Sequence, residues 1–210
     1  ALCMPTSLAY SSSVFIDNSS FVENTCSFLG CGIFYQRGDR SNLFVKRTAF
    51  LTNKLEYEDR CSSKTFPSLQ GRLRGGAALY VTGDLGASGN KGIFTAPSNL
   101  TALIEDCTFQ NNRIEFGVSF STCPSGGAAL MASSFATLNF KRNSLMKHIL
   151  MGPGALLWIK QVGNVVMLGS TLVSNEFRRA AFSLTSSVVL IQGHSSIWGT
   201  STNDVEHIEN

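Results

Sequence analysis

The chain has 210 residues, of which 43% are apolar and only 15% charged, with a formal net charge of +3. That length supports one domain, or at most two, with a substantial core. The basic residues are scattered, densest at Arg72 and Arg74 without interleaved aromatics, so nucleic-acid binding has no electrostatic support. No apolar run reaches the ~18 residues of a spanning helix, and no charged-then-apolar leader opens the chain, which reads as a mature product or an internal segment.

In chain order, Phe15-Ile16-Asp17-Asn18 is a Phe-x-x-Asn tetrad that lies very close to a second copy, Phe21-Val22-Glu23-Asn24. Both cannot hold the same corner, and we read the second as the true copy because the glycine cluster Gly30-Cys31-Gly32 follows it. Phe50-Leu51-Thr52-Asn53 leads, across a polar insertion Lys54–Arg74, to Gly75-Gly76-Ala77-Ala78. A glycine-rich stretch, Thr82–Asn99, precedes a strand at Leu100–Ile104. Phe109-Gln110-Asn111-Asn112 leads across the insertion Arg113–Ser125 to Gly126-Gly127-Ala128-Ala129. Phe140-Lys141-Arg142-Asn143 leads to Gly152-Pro153-Gly154, and strands follow at Ala155–Ile159 and Val165–Leu168. Lys141–Leu150 is the best helical stretch, weakened by Asn143, Ser144 and the Gly-Pro-Gly that follows. A decayed copy begins at Leu172-Val173-Ser174-Asn175, and a last strand lies at Val188–Ile191.

Motif copies recur at about 30 residues, with one double interval between Phe50 and Phe109. Short strands at that period predict an all-β fold, a right-handed parallel β-helix of the pectin-lyase-like solenoid type with about six to seven coils. The chain reads as a single domain over 1–210 or a fragment of a longer one, with repeats at roughly 14–49, 50–108, 109–139, 140–171 and 172–200 and a tail at 201–210. Phe21, Phe50, Phe109, Phe140 and Leu172 are expected to stack inward. Asn24, Asn53, Asn112, Asn143 and Asn175 are expected to bond from corner to corner. Gly75, Gly76, Gly126, Gly127, Gly152 and Gly154 are expected to bend the chain where a side chain would collide with the next coil.

Tetrads alternating with Gly-Gly-Ala clusters over residues 14–190 resemble the chlamydial polymorphic outer-membrane protein family and related microbial surface β-helix proteins. The resemblance implies an adhesin whose passenger region is a right-handed parallel β-helix. Self-translocation is not carried over, because no segment matches that family's C-terminal membrane barrel.

Six cysteines and two sequons tilt the reading toward an oxidising, extracellular or cell-surface location. Cys61 and Cys123 fall in corresponding insertions, and Cys26 and Cys31 flank one short segment, so both pairs are disulfide candidates; free thiols are the alternative. Asn18 and Asn99 are the glycosylation candidates, and Arg37-Gly38-Asp39 is an adhesion-type tripeptide that is equally good turn chemistry. The carboxylates Glu56, Glu58 and Asp59 cluster in an insertion, Glu105 and Asp106 alternate across a strand, and Gly193-His194 lacks paired aspartates. We therefore expect no catalytic, cofactor-binding or metal site. The expected function is non-enzymatic: a structural or adhesive, disulfide-bonded glycoprotein segment of a cell-surface protein or appendage, stacking end to end into a filament. Its expected partners are other copies, surface proteins or glycans. The alternative is a polysaccharide-cleaving, pectate-lyase-like enzyme.

Overall fold

The computed structural model describes residues 1–4, 12–27, 30–36, 40–57, 74–83, 98–116, 125–151, 154–178, 186–192 and 196–198. Every regular element among them is a strand, and strands pair in parallel. The largest sheet has ten strands. Its main path runs β1 (Leu2–Met4), β5 (Ile33–Gln36), β10 (Leu79–Thr82), β15 (Leu130–Lys141), β11 (Ser98–Glu105), β6 (Asn42–Lys46), β2 (Ser13–Asp17). β18 (Gly154–Leu168) joins it through β15 and carries β21 (Ser186–Gln192) and β22 (Ser196–Trp198). A second sheet of five strands is ordered β19 (Thr171–Val173), β16 (Ser144–Met146), β12 (Thr108–Gln110), β7 (Ala49–Leu51), β3 (Ser20–Val22). A third, also five-stranded, is ordered β20 (Glu176–Arg178), β17 (Ile149–Met151), β13 (Arg113–Phe116), β8 (Lys54–Tyr57), β4 (Thr25–Cys26). β14 (Ser125–Gly126) and β9 (Arg74–Gly75) form a two-stranded sheet.

Alternation of side chains places the core. In β6, Leu43 and Val45 are buried while Asn42, Phe44 and Lys46 are partly exposed, and β11 buries Leu100, Ala102 and Ile104 in the same rhythm. These residues join Phe50, Phe109 and Leu145 of the second sheet and Leu55 and Ile114 of the third in one apolar cluster. A smaller cluster of Tyr80, Met131, Ala155 and Trp158, with Phe34 against it, lies on the opposite face of the large sheet.

Among the described residues the chain passes five times from the large sheet to the second and then the third, as the five strands of each smaller sheet require. Each passage turns two corners. The residue at each corner has a positive φ: Asn18, Arg47, Asp106, Arg142 and Gly169 before the second sheet, and Glu23, Thr52, Asn111, Lys147 and Ser174 before the third. Gly76 and Gly127 open β10 and β15 at φ 71° and 75°; a Cβ there would meet the carbonyl oxygens of Leu79 at 2.6 Å and Leu130 at 2.4 Å.

This topology corrects the expected class. The right-handed, pectin-lyase-like β-helix of about six to seven uniform coils is replaced by a curled ten-stranded parallel sheet accompanied by two five-stranded parallel sheets. The physical reason lies in strand continuity. β15 and β18 run 12 and 15 residues without a break and pair with both halves of the large sheet, fusing what a uniform coil would keep separate. The weak helical stretch Lys141–Leu150 is also strand and corner: the end of β15, β16 and the start of β17. The insertions are shorter than expected, since Lys54–Tyr57 pairs with Arg113–Phe116 inside the third sheet.

Candidate functional site

The inward corner residues carry one device repeated through the stack. An asparagine reaches back to the preceding passage and satisfies two backbone groups at that passage's corner. Asn53 accepts the Asn24 N–H at 3.2 Å through Oδ1 and donates through Nδ2 to the Phe21 carbonyl at 2.9 Å. Asn112 does the same to Asn53 N–H at 3.0 Å and Phe50 O at 2.9 Å. The side-chain amides also bond each other, Asn24 to Asn53 at 2.8 Å and Asn53 to Asn112 at 2.9 Å. The tetrad thus has a concrete meaning: its first carbonyl and last N–H are the two groups that the next asparagine clips. Each buried N–H and C=O needs such a partner.

The aromatic column runs beside it. Phe21 stacks on Phe50 at 5.3 Å and Phe50 on Phe109 at 4.8 Å, with near-parallel rings. Phe140 meets Phe109 at 6.0 Å with a tilt, but it is not the next member of the column. In the strand register Phe109 faces Leu145, and Leu145 faces Leu172, whereas Phe140 lies opposite Ile104. Asn143 accordingly serves the other corner, accepting the Cys107 N–H at 2.9 Å and donating to the Ile104 carbonyl at 3.0 Å.

The asparagine column is occupied at the fourth passage by His148. Asn175 clips it in the usual way, accepting the His148 N–H at 3.1 Å and donating to the Leu145 carbonyl at 3.3 Å. No sequence expectation pointed to His148. The available signal was a double tetrad in each passage, offset by five residues (21 − 16, 145 − 140): Ile16-x-x-Ser19 with Phe21-x-x-Asn24, and Phe140-x-x-Asn143 with Leu145-x-x-His148.

On the outer side of the corners the charges pair along the stack. Arg142 bonds Asp106 at 2.7 Å and Glu105 at 2.9 Å, Lys46 bonds Glu105 at 2.9 Å, and Arg47 pairs with Asp17. Glu105 and Asp106, which strand alternation would separate, meet at Arg142 because Asp106 sits at the corner. The hydrogen bond from Lys46 holds the Glu105 carboxyl below its ordinary range, and the one from Arg142 does so for Asp106. On the third sheet Lys54 bonds Glu115 at 2.7 Å and also pairs with Glu56, which raises its pKa. Exposed pairs of this kind contribute little stability individually.

Cys26 and Cys31 form a disulfide. Cys107 is a free buried thiol pushed up to about 11 by desolvation. Cys61, Cys123, Arg37, Gly38, Asp39, Gly152, Glu58 and Asp59 lie outside the described residues. Gly75 and Gly126 pair with each other in the two-stranded sheet, and Gly154 opens β18 opposite Ser186. Asn18 is exposed at a corner with φ 47°, whereas Asn99 points outward between buried Ser98 and Leu100. Among the described residues no group of three or more His, Cys, Asp or Glu side chains is placed to hold a metal ion, and no helix is long and apolar enough to cross a membrane.

The two outer passages are unlike the middle ones. Among the described residues, the large exposed apolar side chains are Phe15 at 71% and Val22 at 46% exposure on the first passage, and Leu168 at 38% and Val173 at 54% on the fifth. Phe15 stacks on Phe44 at 4.6 Å, leaving its other face open. No family model, curated protein or solved structure matches this chain.

Proposed function

We propose that this chain is a non-enzymatic, extracellular structural or adhesive segment of a cell-surface protein or appendage, whose outer passages join like passages of other copies. The observation that carries the reading is that, among the described residues, the large exposed apolar side chains lie on the first and fifth passages. On the first, Val22 adjoins Phe21 at the foot of the aromatic column; on the fifth, Val173 adjoins Leu172 at its head. In the second and third sheets, whose edge strands are β19 and β3 and β20 and β4, a copy seated with Leu172 over Phe21 and Asn175 over Asn24 continues both columns. Its Val173 then covers Val22, and its Asn175 N–H and Leu172 carbonyl lie where the Asn24 side chain can clip them, as Asn112 clips the Asn53 N–H and the Phe50 carbonyl. Parallel pairing is directional, so the contact is head to tail and propagates into a filament.

Sedimentation velocity over a concentration series, with electron microscopy, tests it. Linear assemblies that shorten in Val173→Lys and in Val22→Lys are expected. Strict monomers at every concentration would overturn the reading.

A further inference from the structure

His148 occupies a position for which the rest of its column uses asparagine, and the exchange has a chemical consequence. The side chain is buried, and its Nδ1 lies 3.1 Å from the Asn112 carbonyl oxygen. A carbonyl only accepts, so Nδ1 carries the proton and Nε2 presents a lone pair. That Nε2 is buried with no hydrogen-bond partner. An asparagine at the same position would be neutral at any pH.

The groups around the ring are neutral as well. Asn112 lies on the preceding passage and Asn175 on the following one, and the Asn112 and Phe109 backbones face the ring. Next along the chain, Lys147 is exposed at the corner, and Arg113 is turned to Glu115 at 3.2 Å. Both are cations, and neither offers a counter-charge to an imidazolium. Glu176 belongs to the adjacent strand, and its side chain lies outside the described ones.

We propose that the His148 corner is an acid-sensitive seam, at which protonation of the buried Nε2 loosens the fourth and fifth passages from the third while the Asn24–Asn53–Asn112 side stays closed. A proton on Nε2 creates a buried charge with no partner, which the fold relieves by exposing the ring. Exposure breaks the Nδ1 bond to Asn112 and disturbs the His148 N–H that Asn175 clips. The direction agrees with the titration: desolvation lowers the folded pKa from 6.5 to about 4. A base whose folded pKa is depressed contributes full stability above its unfolded value, and that stability declines as pH falls from about 6.5 toward 4. This seam stands independently of any assembly by the outer passages.

The test is the pH dependence of chemical unfolding of the chain and of His148→Asn, which restores the column. Between pH 7.5 and 4.5 the folding equilibrium of the wild-type chain is expected to fall by a further factor of roughly a hundred relative to the variant. Amide exchange should show the His148 N–H losing protection in acid before the Asn53 N–H does. Equal acid sensitivity in the two chains would overturn the proposal. Should the variant fail to fold, the imidazole resonances of the wild-type protein decide. Titration of His148 near 6.5 in the folded state would overturn it; a ring that stays neutral until the corner opens would support it.

Discussion

The first three passages and the last two build the same corners from different side chains. In the first three, Phe21, Phe50 and Phe109 stack face to face, and Asn24, Asn53 and Asn112 form a continuous amide chain. In the fourth and fifth, Leu145 and Leu172 replace the rings and His148 interrupts the amides. Backbone register continues through both regions without change. The difference shows that the clip depends on the residue that reaches back, and hardly on the residue it holds. Asn175 clips a histidine and Asn143 clips a cysteine with the geometry that Asn112 uses on an asparagine.

Truncations made in pairs sharpen this comparison. Phe109→Ala removes a fully buried ring between two others and should cost about 4 kcal/mol in urea unfolding. Leu172→Ala, at a partly buried position on the fifth passage, should cost about half as much, because solvent already reaches the site. Equal losses would mean that the two regions share one packing environment. Asn53→Ala strands the Phe21 carbonyl and the Asn24 N–H together and breaks two amide contacts, so about 3 kcal/mol is expected. Asn175→Ala strands the Leu145 carbonyl and the His148 N–H but breaks no amide–amide contact, and should cost less, about 2 kcal/mol. The smallest effect has the opposite sign. Thr52 is β-branched at φ 56°, where Asn111 holds the equivalent corner one passage later. Thr52→Asn should raise stability by about 0.5 kcal/mol, seen as a small increase in melting temperature.

Strand identity was legible in the sequence where short apolar, β-branched runs are bounded by Gly, Asn and Ser, as at Leu100–Ile104 and Val165–Leu168, because such runs are too short for core helices. The glycines before Leu79 and Leu130 were legible because few residues other than glycine adopt their φ cheaply. Column membership was harder. Phe140-x-x-Asn143 has the letters of one corner and occupies the other, since both corners in a passage bury an apolar residue, turn two residues later and set the clipped N–H at the third. Pattern alone cannot tell two corners with equal requirements apart; the five-residue offset within each passage can. Conversely, His148 went unnoticed because nothing about a single histidine announces that it stands in for an asparagine. The fusion of the large sheet through β15 and β18 left no local mark, since an uninterrupted strand differs from two abutting ones only in a bend.

That bend has a consequence for how such a chain changes over generations. Ser134 in β15 and Gln161 in β18 have positive φ, and both lie between the two halves of the large sheet, beyond the Ser133–Lys160 pair and before Phe135–Val162. At the same height in the two preceding passages, the chain leaves β5 and β10 and returns as β6 and β11 after segments 37–41 and 83–97. Length therefore differs between passages at this line, as it does between the third sheet and the large one, while the pairing on either side keeps its register. Ser134 and Gln161 mark where foreign segments could be spliced into the remaining passages, which makes the line a natural position for display.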